Sequence, residues 1–214
     1  MPFGVDEAGK GPVLGSMFAA AVVADPEDLP DGIADSKTLT PQRRERLAAT
    51  LRAAEAISIG VAEIPVARID DPETDMNTLT VSAQAQAIDA TGVSGETGYV
   101  DAGDVDAERF GRRVEKRVDT DVRIQAEHGA DETYPLVGAA SVIAKVSRDT
   151  HVAALRAEYG TDLGSGYPSD ERTRSFLEAY VKRTGELPDC ARRSWQTSSD
   201  ILSAATQTGL EDFD

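Results

Sequence analysis

The 214-residue chain has one cysteine, two histidines, one tryptophan and five lysines. A lone Cys190 excludes an intrachain disulfide framework, fits a reducing compartment, and reads as a small apolar residue. His128 and His151 lie too far from each other and from Cys190 for a zinc site of ordinary spacing. No apolar run approaches the ~20 residues needed to span a bilayer. The short, acidic opening predicts no secretory leader. These absences predict a soluble, cytoplasmic protein with no membrane partner.

Basic charge is also scarce. The sequence carries 38 acidic against 22 basic residues, a net charge of −16. The acids are dispersed and form no single tail, so they predict a coat over the whole surface. Such a coat suits a salt-rich cytoplasm, where the reach of a charge falls to about 3 Å at 1 M salt. In dilute buffer the same excess would argue against a polyanionic partner. The length and an apolar content of 40% predict one domain with a sizeable core.

What is present is organised around Gly4-Val5-Asp6-Glu7-Ala8-Gly9-Lys10-Gly11-Pro12. Two adjacent carboxylates precede a glycine-rich turn carrying one lysine. The segment from Val13 to Val23 then reads as a buried strand. Neighbouring strand residues point to opposite faces, so Asp6 and Glu7 address one cation together only where the strand bends. In so acidic a chain an Asp-Glu pair is weak by itself, and it recurs at 131–132 and 170–171. The turn glycines strengthen it, because they let backbone N–H groups approach a ligand. Gly4-x4-Gly9-Lys10 also matches a nucleotide phosphate loop up to its last position. Gly11 then stands where Ser or Thr should hold magnesium, and Asp6 and Glu7 would repel the phosphates. That match is accidental.

Further along, Thr40-Pro41 predicts a helix start, with the helix running to Ala54. Ala56–Ala62 reads as a strand, 76–91 as a helix closed by Gly92, and Tyr99-Val100-Asp101 as a short strand ending in an acid. A helix over 106–118 carries Arg109, Arg112, Arg113, Lys116 and Arg117 as a solvated face. Val122–Ala126 predicts another strand. A long helix from Pro135 to Tyr159, stopped by Gly160, places Asp131 just before a helix N-terminus, which favours its charged form. Gly164-Ser165-Gly166-Tyr167-Pro168-Ser169-Asp170 is a glycine-bracketed loop that holds out an aromatic ring. Arg192, Arg193 and Trp195 follow a second helix. Strands early and helices late predict an α/β sheet with a helical C-terminal part. The expected division is a core over 1–160, helices over 161–203, and a flexible acidic tail over 204–214.

Taken together these segments resemble type 2 ribonucleases H, most closely the archaeal branch, over nearly the whole chain. The resemblance rests on Asp-Glu-Ala-Gly-x-Gly-Pro at 6–12, Asp-Ser-Lys at 35–37 and Tyr-Val-Asp-Ala at 99–102. Ala-Asp at 130–131, Ala-Ala-Ser-Val-Ile-Ala-Lys-Val at 139–146, Arg148-Asp149 and Gly-Ser-Gly-Tyr-Pro-Ser-Asp at 164–170 continue it in order. It implies a ribonuclease-H-like mixed sheet flanked by helices, and an endonuclease acting on RNA–DNA hybrids and on ribonucleotides embedded in duplex DNA. It also implies two-metal hydrolysis leaving 5′-phosphate and 3′-hydroxyl ends. The four implied carboxylates are Asp6, Glu7, Asp101 and Asp131, with Asp6 bridging two Mg²⁺ or Mn²⁺ ions.

The same resemblance implies substrate contacts from Gly9, Lys10, Gly11, Lys37, Ser141, Lys145 and Tyr167. Lysine at position 10 replaces the family's arginine and cannot reproduce its planar fork. Gly129 replaces a usual lysine, and His128 keeps a place from which a proton can reach the leaving group. Asp149 reads as structural, beside Arg148. Gln207-x-x-Leu210-x-x-Phe213 resembles a peptide that docks on sliding clamps. Two other classes fit parts of the pattern: another two-metal nuclease of the same fold, such as a junction resolvase, and a non-catalytic acidic nucleic-acid-binding module. A monomer is expected.

Overall fold

A computed structural model describes residues 1–33 and 39–211, and side chains as far as Gln207 within the last helix. Lys37, Phe213 and the side chain of Leu210 lie outside the described parts. Among the described residues five strands form one mixed sheet. β1 (Phe3–Ala8) pairs antiparallel with β2 (Met17–Val23), and β2 pairs antiparallel with β3 (Ser58–Ile64). On the other side β1 runs parallel to β4 (Thr97–Asp101), and β4 runs parallel to β5 (Arg123–Glu127). The order is β3-β2-β1-β4-β5. β2 is buried at every residue, as a central strand covered on both faces should be. The edge strands β3 and β5 alternate or stay partly exposed.

Helices cover the two faces. α3 (Met76–Asp89) and α4 (Ala107–Glu115) pack with Phe3, Val5, Ala19 and Ala21 on one side. α1 (Pro41–Ala53) and α6 (Pro135–Tyr159) pack with Ala20 and Val22 on the other. Two short helices, α2 (Val66–Ile69) and α5 (Ala130–Thr133), have no counterpart in the sequence reading, being too short to show a helical period. α7 (Glu171–Thr184) and α8 (Gln196–Glu211) form a third cluster. Its members Phe176, Leu177 and Ile201 enclose Val13 and Leu14 from the loop between β1 and β2.

One expectation is corrected. The strand predicted over 13–23 begins only at Met17, because Pro12 and the left-handed Gly9 (φ 91°) and Gly15 (φ 77°) keep 9–16 out of the sheet. The last helix runs to Glu211, and Ile201, Leu202 and Ala205 tie it to the third cluster.

One glycine sets the height of the main helix above the sheet. A Cβ on Gly4 would stand 2.2 Å from the carbonyl carbon of Leu136 and 2.3 Å from the nitrogen of Val137. Only a hydrogen lets α6 cross directly over β1, next to Asp6. Gly4→Ala is therefore expected to lower stability by more than about 3 kcal/mol, measured by chemical denaturation. Near-wild-type stability would show that the approach is not tight.

Candidate active site

The parallel pair β1 and β4 is in register to Val5 and Val100, so the next residues, Asp6 and Asp101, come side by side just past the last paired residues of that ladder, Asp101 ending β4 and Asp6 two residues before the end of β1. This is the end at which helix-flanked sheets leave a crevice. Alternation along β1 turns Asp6 toward α6 and Glu7 toward α3. Asp6 is buried beneath Ser141 of α6. Glu7 Oε2 accepts a hydrogen bond from Gln84 Nε2 of α3 at 2.7 Å, and the same amide nitrogen reaches the Asp101 carbonyl at 3.1 Å. Asp101 Oδ1 accepts from Ala130 N at 2.9 Å, which puts the buried Asp131 of α5 one residue from β4's end. The paired carboxylates at 6 and 7 thus lie on opposite faces of the central strand β1, whose pairing with β2 continues without a break to Ala8.

These acids are held at a cost. Burial pushes the Asp6 carboxyl well above the ordinary range, and the neighbouring charges of Glu7 and Asp101 push it further. Ser141 lowers it, although its hydroxyl meets no partner of good hydrogen-bond geometry. Burial likewise raises Glu7 to about 7, opposed by the Gln84 hydrogen bond and the Lys10 ammonium. Glu7 keeps a partly open edge on the groove while protein surrounds most of its carboxylate.

Among the described residues, no three His, Cys, Asp or Glu side chains converge into a ready-made metal cluster. The donor set nevertheless fits hard cations. It is all oxygen, it is crowded enough to raise two carboxyls, and two buried polar atoms beside it, Gln84 Oε1 and Ser141 Oγ, have no hydrogen-bond partner.

Glu7 opens onto a groove of about 300 Å³ lined also by Gly9, Lys10, Gly11, Lys145 and Tyr167. Arg44, Arg148 and Asp149 complete its wall, with Arg44 paired to Asp149 at 3.0 Å. Tyr167 is 42% exposed, its ring lies beneath the Arg148 guanidinium at 5.2 Å, and Gly11 stands beside it. Its loop is bound to the glycine turn, since Gly166 O accepts from Val13 N at 2.8 Å and Leu14 N at 3.2 Å. Lys10 is placed differently from a substrate-facing lysine. Its ammonium donates to Asn77 Oδ1 at 2.9 Å and to the Gly103 carbonyl, so the turn offers the groove its backbone. His128 is exposed between β5 and α5. Two larger hollows, one beside α7 and one between α7 and α8, touch none of the four carboxylates.

The sequence reading missed several supporting residues. Gln84 and Asn77 look like ordinary polar residues of an amphipathic helix. Arg192 and Trp195 stand out only as a basic and aromatic pair, with no periodicity to say what they touch.

A mixed sheet in this order, with acids at the carboxyl ends of its parallel strands and a cation-lined groove above them, defines a nucleic-acid hydrolase of ribonuclease-H-like fold. A family model described as Ribonuclease HII matches residues 3–198. A Ribonuclease HII of Haloarcula marismortui is 67% identical over 213 residues, covering 100% of both chains. The crystal structure of the ribonuclease H2 from Pyrococcus horikoshii superposes with a TM-score of 0.88 at 36% identity, covering 96% of this chain and 99% of that one. The ribonuclease HII solved with PCNA from Archaeoglobus fulgidus gives 0.83 at 38%, covering 94% and 96%. The chain belongs to the ribonuclease HII family, metal-dependent endonucleases that hydrolyse the RNA strand of RNA–DNA hybrids. A junction resolvase or a non-catalytic binding module is thereby set aside.

The raised Glu7 pKa has a consequence for the metal-free protein. Because the folded state favours the protonated acid, ionisation carries no penalty below the ordinary value of 4.5 and its full penalty above about 7. Glu7→Gln should therefore stabilise the chelated protein at pH 8 by about 1–3 kcal/mol and leave it unchanged at pH 4. Denaturation in EDTA at both pH values measures this; equal effects at the two would contradict it.

Proposed function

We propose that this groove cuts the RNA strand of hybrids and also cuts at single ribonucleotides embedded in duplex DNA, leaving 5′-phosphate and 3′-hydroxyl ends. The observation that carries the reading is the side-by-side placement of Asp6 and Asp101 at adjacent strand ends, with Glu7 opening onto the groove walled by the glycine turn and Tyr167. Asp6, Glu7, Asp101 and Asp131 would hold Mg²⁺ or Mn²⁺, two per site with substrate bound. Bound there, such ions would supply a water nucleophile and a counter-charge for the departing 3′ oxygen.

The chain's own groups do the rest. Gln84 orients Glu7, and Ser141 sits over Asp6. Backbone N–H groups of the Gly9-Lys10-Gly11 turn meet the 2′-hydroxyl, the group that separates RNA from DNA. Tyr167 packs on the sugar that follows the ribonucleotide. Lys145, one helical turn beyond Ser141, draws in a phosphate, and family resemblance gives Lys37 the same task. The Lys10 side chain, turned to Asn77, balances the Glu7 charge. In a chain of net charge −16, cations in direct contact with the backbone must offset the repulsion of the acids; high salt screens the distant acids, while counterion release weakens each phosphate contact as salt rises.

We further place the enzyme in the cytoplasm as a monomer of one catalytic core with packed C-terminal helices. No helix among the described residues is long and apolar enough to cross a membrane. The segment containing Gln207, Leu210 and Phe213 is assigned to a sliding clamp. Support comes from the motif and from the relative solved as a PCNA complex.

Duplex DNA with one embedded ribonucleotide, offered with Mg²⁺ or Mn²⁺ at low and high salt, tests the reading. Cutting at the ribonucleotide is expected, with all-DNA duplex left intact. Asp6→Asn should bind and cut at least about 10³-fold more slowly; cleavage close to wild type would remove Asp6 from the reaction. For the tail, chains with and without residues 206–214 should differ in clamp pull-down, and equal capture would dismiss that assignment.

A further inference from the structure

Arg192 is the largest fully buried side chain among the described residues. Among the described residues no carboxylate pairs with it. Its guanidinium is spent instead on three carbonyls of the loop between β1 and β2. Nη2 donates to Gly9 O at 2.6 Å, Nη1 to Lys10 O at 2.9 Å and Nε to Gly15 O at 2.9 Å. Burial pushes it down only to about 10, so the group stays charged at any working pH. Trp195 stacks against it at 4.8 Å and donates its indole N–H to the next carbonyl, Gly11 O, at 3.2 Å. Ser198 Oγ and Val13 O hold the Arg192 backbone in turn. Three successive carbonyls, at positions 9, 10 and 11, are therefore gripped from one side.

A trans peptide unit is planar, and its C=O and N–H point in opposite directions. Fixing the Gly9 and Lys10 carbonyls on Arg192 thus fixes the N–H groups of Lys10 and Gly11 on the far side. Neither amide donates to another group among the described residues. Gly9 allows the geometry through its left-handed φ of 91°, and Gly11 is exposed beside Tyr167, at the groove. A cation bonded to the carbonyl end of a peptide also polarises its N–H end into a better donor. A buried arginine kept only for packing would be replaceable by an apolar residue at no loss; one that grips three loop carbonyls holds a shape.

We propose that Arg192, assisted by Trp195, is a positioning residue for ribonucleotide recognition. From behind the turn it aims the Lys10 and Gly11 backbone donors at the 2′ oxygen of the substrate. This rests on the reading that the glycine turn is the part that meets the ribose.

The test uses full-length protein in an Asp6→Asn background, expected to bind and to cut too slowly to disturb a binding measurement. Binding by fluorescence anisotropy is compared for a duplex with one ribonucleotide and the matching all-DNA duplex. Adding Arg192→Met should reduce the ribo-over-deoxy preference by about 10-fold or more, with all-DNA affinity held within about 2-fold. Arg192→Lys should recover part of the preference. Trp195→Phe, which keeps the ring and loses one donor, should give a smaller drop in the same ratio, and it supplies the answer if Arg192→Met does not fold. Loss of affinity for both duplexes in parallel with a fall in Tm, the ratio unchanged, would make Arg192 merely structural and overturn the proposal. If the Asp6→Asn parent itself shows no preference, the reading of the turn fails first.

Discussion

The constraint that shapes this molecule is the crowding of carboxylates at one end of the central sheet. Asp6 and Asp101 are neighbours by strand register, Glu7 lies on the opposite face of β1, and Asp131 sits on α5, beside the Ala130 amide that Asp101 holds. Burial and mutual repulsion raise both Asp6 and Glu7, so the protein alone does not satisfy its own charges there. The surroundings are arranged around that deficit. An amide from α3, a hydroxyl from α6 and a lysine ammonium approach the acids without removing them. A site that is electrostatically incomplete without cations is well suited to binding them, and folding holds it open through packing elsewhere.

That packing supplies the rigidity the acids lack. Gly4 lets α6 ride on β1 beside Asp6, and Val5 and Phe3 anchor the opposite face under α3 and α4. The loop from Gly9 to Ser16 belongs to neither sheet nor helix and is held from outside. Arg192 grips its carbonyls, Leu14 bridges to Ala191, and Ser16 N donates to His151 at 3.2 Å. Function-bearing loops on rigid scaffolds are common; here the scaffold for the first loop is the last part of the chain.

How much of this was legible beforehand differs by residue. Asp6, Glu7 and Asp101 could be read because short apolar runs ending in acids announce strand ends, and the ordered motifs carried the family. The long helix from Pro135 to Tyr159 was equally plain, since proline opens it and Gly160 closes it with φ of 63°. The register that sets Asp6 beside Asp101 was hidden, because strand pairing depends on what lies between. The direction of Lys10 was hidden for a related reason: its partners Asn77 and Gly103 lie 67 and 93 residues away. Arg192 was the least visible, with contacts 177 to 183 residues distant and no periodic pattern to betray them. The strand predicted from Val13 failed because apolar residues there pack on the C-terminal helices, a burial that composition cannot distinguish from a sheet.

The closure between Arg192 and the turn also dictates an order of assembly. During synthesis the sheet and its main helix can collapse while the segment around residue 10 still lacks its fastener, because residue 192 has yet to be made. Contacts of such long range are slow to form and dominate the late stages of folding. A partly made chain therefore gathers its acids early and has the turn at 9–11 fastened last, so that the shape of that wall of the groove coincides with completion of the fold.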